Sequence, residues 1–250
     1  MRTKSPTIAL VHGGSHGSWC WDELSDTLRD RSYLGAVIAL DVPGCGTKRV
    51  SSGADASLDE IADELNADVR RASSASVLLV GHSMAGILLP RMVSRAPGLY
   101  AESCFLACCI PREGESVAET MGPRVVPHDP AKVGWPASPE ATQEEIYEQA
   151  FGLEMTREQI DRVVANARQD NWPRTAALTL ACRSGFPGTT RVSYIATRRD
   201  PILPPEWQGR FAERLGTERL YALDTPHEPF ITHPAELAAL LMTIADQIAD

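Results

Sequence analysis

The 250-residue sequence has no basic cluster: its 24 Lys and Arg are scattered among 33 Asp and Glu, for a formal net charge of -9. That balance argues against a phosphate-binding surface, so nucleic acid is not an expected partner. No glycine-rich loop of the GxGxxG or P-loop type occurs. No nucleotide cofactor is implied, and nothing else calls for a cofactor. The six cysteines (Cys20, Cys45, Cys104, Cys108, Cys109 and Cys182) include no Cys-x2-Cys pair, and no metal is expected. They sit mostly in apolar, strand-like runs, as buried reduced thiols of a cytoplasmic protein would. The opening "MRTKSPTIALVHGG" has too short an apolar run for a signal-peptide core or a membrane helix. The expectation is a cytoplasmic location and no membrane partner. Nothing repeats at a fixed period, and no stretch is of low complexity.

What is present is an alternation of strands and helices over a chain with 43% hydrophobic residues, ample for a sizeable core. "TIALVHGG" and "AVIALDVPGCG" are short apolar runs stopped by glycine and proline, as buried parallel strands would be. Between them, Trp19, Trp21, Leu24 and Leu28 recur at helical spacing. Ser57 and Glu60 have the spacing of a capping box before "LDEIADELNADVRRA", whose Leu58, Ile61, Leu65 and Val69 form one stripe. "SVLLVGHS" reads as a strand, "MAGILLPRMVSRA" as a helix and "AESCFLACCI" as a strand. The rhythm resumes at "RVSYIATRRDP" and closes with the helix "PAELAALLMTIADQIA". This predicts an α/β protein with a mostly parallel, doubly wound sheet. From Pro111 to about 190, prolines break the chain into turns before the helical stretches "TQEEIYEQAFGL" and "TREQIDRVVANARQD". The expected organisation is a core of residues 1–110 and 191–250 with a mainly helical cap inserted at 111–190.

"GHSMAG" places Ser83 between a strand and a helix, the setting of a nucleophile elbow. There a sharp turn lifts the serine above the sheet, and the next helix points its amino end at the substrate. Gly81 precedes the serine by two residues; Ala85 follows by two, where the strict motif has glycine. Ser83 also suits a plain helix N-cap. Context favours chemistry, because a serine needs a base and the base needs an acid. His227 lies in "LDTPHEPF" after the last strand, and Asp200 ends the preceding strand, so the order Ser83, Asp200, His227 is that of a hydrolase triad. Asp224 and Glu113 compete with Asp200, and Glu113 is the better rival. An oxyanion intermediate needs preorganised N–H donors. The glycine-rich turn after the first strand offers the Gly14 amide, and the elbow offers that of Met84. His12 reads as a scaffold for that turn. Ser15 and His16 are pocket candidates that are more often solvated loop residues. His82 should point away from substrate, and His128 and His233 read as structural or solvent-facing.

"LVHGGSHGSWCWDELSDTLR", "DVPGCG" and "GHSMAG", with the spaced Asp200 and His227, resemble the α/β-hydrolase fold superfamily. More narrowly, they resemble its branch of plant-type methyl esterases, hydroxynitrile lyases and bacterial esterase relatives. The likeness spans nearly the whole chain outside the cap. It implies Ser83 as nucleophile, His227 as base, Asp200 as orienting acid, and Gly14 and Met84 as oxyanion donors. Hydroxynitrile lyases of this branch typically carry a hydroxyl or amide side chain where this chain has Gly13. The better-studied ones have a lysine where it has Glu228. Glu228 would repel cyanide, so ester hydrolysis is preferred.

The expected substrate is a small to medium hydrophobic carboxylic ester, a methyl ester or a lactone among the choices. Trp135, Phe151 and Trp172 are candidate pocket residues in the cap. Two other readings remain open: a non-hydrolytic enzyme (hydroxynitrile lyase, decarboxylase, cyclase or cofactor-free oxygenase) using His227 as base, and a ligand-binding receptor that retains the triad. Pro90 is expected to bend the helix after Ser83. The apolar side of the closing helix should pack on the sheet and leaves a homodimer open.

Overall fold

A computed structural model describes residues 5–249, apart from 51–55, 74, 126, 128 and 218. Six parallel strands among the described residues form one sheet: β1 (Thr7–Val11), β2 (Val37–Leu40), β3 (Val77–His82), β4 (Tyr100–Leu106), β5 (Arg191–Thr197) and β6 (Leu220–Leu223). Their order is β2-β1-β3-β4-β5-β6. The central β1 and β3 are buried along their whole length, which is why they read as unbroken apolar runs instead of alternating ones.

Helices cover both faces. On one, α2 (Leu58–Ala72), α3 (Leu89–Arg95) and α8 (Pro205–Leu215) share a core with Val11, Leu79 and Phe105. On the other, α1 (Asp22–Asp30) and α10 (Pro234–Ala249), with the short α9 (Pro229–Thr232) before it, pack against Ile8, Leu78 and Cys104. Leu237, Leu241 and Ile244 of α10 are fully buried there, as the apolar stripe requires. The Ser57–Glu60 capping box at the start of α2 is formed in both directions. No helix among the described residues is long and apolar enough to cross a membrane.

The segment between β4 and β5 contains α4 (Val117–Met121), α5 (Gln143–Phe151), α6 (Arg157–Ala167) and α7 (Arg174–Leu178). Three polar clamps tie it to the core. Asp170 accepts from Trp19 Nε1 (2.7 Å), Gly46 N (2.8 Å) and Arg49 Nε (2.7 Å). Arg162 pairs with Glu23, and Arg199 with Glu154. Burial alone would raise the Asp170 pKa, but these donors outweigh it and hold the carboxyl below its usual range.

Three expectations need correction. The stretch after Ser83 is a 3-10 turn (Ser83–Ile87), and α3 begins only at Leu89, so Pro90 falls in the first turn and bends nothing. A first-turn proline costs no helical hydrogen bond. The helix expected from Trp19 likewise begins with a 3-10 turn, Ser18–Trp21, ahead of α1. Cys182 is exposed, because it lies in a loop after α7 and not in a strand; the other five thiols are buried.

Candidate active site

The strand order reverses between β1 and β3: β2 lies to one side of β1 and β3 to the other. The crevice beyond the carboxyl ends of such a pair is where open α/β sheets collect ligands. Gly13 and Gly14 follow β1 there, and Ser83 follows β3. Ser83 has φ +54°, a left-handed conformation that costs a non-glycine residue roughly 1–2 kcal/mol. The two loops meet closely. A Cβ on Gly13 would fall 2.9 Å from Ser83 Cβ, and one on Gly14 would fall 2.7 Å from Met84 Sδ. Glycine is therefore required sterically at position 13, where the first loop passes the serine; at position 14 the flexible Met84 side chain could give way.

Asp200 lies just beyond the end of β5, 5% exposed, and its carboxylate is saturated with donors. Oδ1 accepts the amides of Ile202 and Leu203, each at 2.8 Å. Oδ2 accepts from Thr197 Oγ1 (2.8 Å), Gln208 Nε2 (3.3 Å) and His227 Nδ1 (2.6 Å). Gln208 in turn donates to the carbonyls of Thr197 and Leu203. The aspartate is thus locked in place before it meets the histidine. Glu113 and Asp224 are surface groups paired with Arg183 and Arg199 respectively.

His227 is 1% exposed, and its Nε2 has no partner among the described residues. Its carbonyl accepts from Nε2 of His82, the residue before Ser83, at 3.0 Å. This bond ties the histidine loop to the serine turn. Burial, then the neighbouring His227 and His16, pushes the His82 pKa well below its ordinary value. His82 is thus a neutral donor behind the site, consistent with a side chain that turns away from substrate. His12 has the same character: Nδ1 donates to the Gly13 carbonyl (2.9 Å), and Nε2 accepts the Val42 amide (3.1 Å). Burial lowers its pKa to about 4.

His16 departs from expectation. It is fully buried, not solvated, with Nδ1 donating to the Gly14 carbonyl (2.8 Å) and Nε2 2.8 Å from Glu228 Oε1. Ser15 is half-buried with φ +61°. Of the aromatic candidates, Phe151 covers the site, stacked 6.2 Å from the His227 ring and edge-on 5.0 Å from that of His16. Trp172 is buried edge-on against His12 at 5.3 Å. Trp135 is 42% exposed and lines a surface groove with Pro201, Trp207 and Arg210; the aromatic neighbours of His227 are Phe151 and His82. The Trp135 indole donates to the Gly122 carbonyl (2.8 Å). His128 lies outside the described residues. His233 sits beside Thr232 at the end of α9. Among the described residues, no three His, Cys, Asp or Glu side chains converge to hold a metal.

Sequence reasoning missed Thr197 and Gln208, and it read Glu228 only as a charge that would repel cyanide, not as the partner of His16. Gln208 left a signal: a polar residue on the buried stripe of α8, in line with Phe211 and Leu215.

The model of the alpha/beta hydrolase family matches residues 8–240. The putative chloroplastic methylesterase 11 of Arabidopsis thaliana is 24% identical over 95% of this chain, which spans 63% of that protein's length. Methylesterase 17 of the same plant is 26% identical, with 97% of this chain and 92% of the relative aligned. Polyneuridine aldehyde esterase has a similar fold, with a TM-score of 0.77 at 18% identity, covering 97% of this chain and all of its own.

Proposed function

The chain belongs to the alpha/beta hydrolase family, and from that premise we propose that it is a carboxylic ester hydrolase working through an acyl-enzyme on Ser83. The observation that carries this reading is the buried 2.6 Å bond from His227 Nδ1 to Asp200. It leaves Nε2 bare on a loop tied to the residue before the serine. With Nδ1–H committed to the carboxylate, Nε2 is the basic nitrogen. It takes the Ser83 proton as Oγ attacks the ester carbonyl, and Asp200 stabilises the imidazolium that forms. The proton then passes to the departing alkoxide, and water repeats the cycle on the acyl-enzyme. The Gly14 and Met84 amides are assigned as oxyanion donors, a role supported by the way the loops after β1 and β3 that carry them come together.

Residues 111–190 act as a cap, and Phe151 supplies an apolar wall over the histidine. The substrate is a small to medium hydrophobic ester. Methylesterase and esterase relatives support a methyl ester among the choices. The position directly after His227 holds Glu228, so it supplies no cation for a cyanide leaving group.

The test is hydrolysis of short-chain p-nitrophenyl esters by the protein and by Ser83→Ala, with intact mass read after fluorophosphonate treatment. Turnover and a single adduct, both lost in the variant, are expected. A folded wild type with neither turnover nor adduct would overturn the assignment.

A further inference from the structure

His16 touches none of the groups assigned to bond making, yet its two nitrogens reach both loops that carry them. Its ring lies between Trp19, stacked at 5.2 Å, and Phe151, edge-on at 5.0 Å. Nδ1 donates to the carbonyl of Gly14. Nε2 makes an ion-pair contact with Glu228, although the N–H is not aligned for a hydrogen bond. Glu228 directly follows His227, and its own carbonyl is held by the Ile231 and Thr232 amides at the start of α9.

Glu228 is 0% exposed, and neither of its oxygens accepts a hydrogen bond from the described residues. A buried carboxylate in that position is costly unless a cation lies beside it. Among the described residues, His16 is the group within ion-pair distance. A neutral imidazole carries one N–H, and here both nitrogens face acceptors, so the ring needs two.

We propose that His16 is a positioning residue: an imidazolium that ties the oxyanion loop, through the Gly14 carbonyl, to the catalytic-histidine loop, through the Glu228 carboxylate. This rests on the serine-hydrolase reading above. The peptide whose carbonyl His16 holds follows the Gly14 N–H that the proposed mechanism assigns to the oxyanion. The carboxylate it holds is one residue from the base. Losing the proton breaks the tie from the Glu228 side and leaves that carboxylate uncompensated.

The charged and titratable groups around the ring come from every neighbouring element. Glu228 comes from the loop before α9, Asp170 from the end of the α6 region, His12 from the end of β1 and His82 from the end of β3. Burial would lower the His16 pKa; Glu228, the Gly14 carbonyl and Asp170 outweigh it and raise it. His12 and His82 are held neutral by burial and do not cancel that effect.

The test combines nitrogen-15 NMR of the histidine rings with kcat and KM for p-nitrophenyl acetate, on the full chain from neutral to alkaline pH. His16→Gln supplies the resonance assignment. The expected result is a doubly protonated His16 ring at neutral pH, with kcat falling about tenfold or more as it deprotonates while KM changes little. In Glu228→Gln the amide can donate to a neutral ring at Nε2 while Nδ1–H stays on Gly14, so the alkaline fall should disappear. A neutral His16 in an active wild type, or an alkaline limb unchanged in Glu228→Gln, would overturn the proposal. Should that variant not fold, the wild-type ring titration decides alone. Absence of turnover in the wild type would overturn the hydrolase reading itself, and the NMR signal keeps the two failures apart.

Discussion

At the scale of single residues, Asp200 is fixed by the donors around it. Five donors converge on one buried carboxylate: two amides, a threonine hydroxyl, a glutamine amide and the imidazole. Replacing Asp200 by Asn keeps the shape but puts an N–H2 where an acceptor is needed, which favours the wrong tautomer of His227. The expected loss in kcat is on the order of 10³–10⁴-fold with KM little changed, measured by steady-state kinetics on p-nitrophenyl esters. Retention of most of kcat would mean that the aspartate does not orient the base. The position of Asp200 at a strand end was legible in the sequence, as were Ser83 and His227. The donors were not, because Thr197 reads as an ordinary strand residue, and Gln208 looks like a polar helix position until its face is known to be buried.

At the scale of elements, the elbow is a strand, a 3-10 turn and a helix fitted against the end of β4. Gly86 is the point with least give: a Cβ there would lie 2.3 Å from the Cys109 carbonyl oxygen, which is backbone and cannot rotate away. Gly86→Ala is therefore expected to destabilise the fold by about 1–3 kcal/mol, read as a lower midpoint in urea, and to reduce esterase activity by shifting the serine. Gly209 is the contrasting case, lying inside α8 with open space around its would-be Cβ. Gly209→Ala should raise stability by about 0.5–1 kcal/mol through helix propensity alone. Equal effects at the two positions would show that packing at the elbow is not limiting. The elbow's existence was readable from small residues around a serine. The 3-10 geometry that moved the helix start to Leu89 was not, because it depends on how the turn fits beneath the β4 loop.

At the scale of the whole molecule, buried histidines give stability two opposed pH dependences. His12, with its pKa lowered to about 4, and His82, whose pKa burial also pushes well below its ordinary value, bind protons more readily unfolded than folded. Their contribution is complete above the unfolded value near 6.5 and is lost as pH falls toward about 4, costing roughly 3 kcal/mol for His12. His16 runs the other way: with its pKa raised, its contribution is complete below about 6.5 and declines as pH rises through the folded value. Urea unfolding across pH should therefore show a maximum between the two limbs. His12→Asn, which can still donate to Gly13, should flatten the acid side. A profile with no loss on the acid side would contradict the buried, neutral state of His12 and His82, and one with no loss on the alkaline side would contradict the charged state of His16.

The sequence by itself determined the alternation of strands and helices, the parallel sheet, and the placing of Ser83, Asp200 and His227 in the chain just after three of its strands. The elements are written in local spacing, as apolar runs and helical stripes; Ser83 stands out by the small residues beside it, and Asp200 and His227 by their order after later strands and by the family resemblance. Tertiary structure alone decided that His16 is buried and paired with Glu228. It decided as well that Asp170 clamps the 111–190 segment to the core, that Trp135 faces outward while Phe151 covers the base, and that Glu113 is a surface group. In each case the deciding partner lies far along the chain. A polar side chain's burial, charge and hydrogen bonds depend on what the folded chain sets against it, and no local period encodes that.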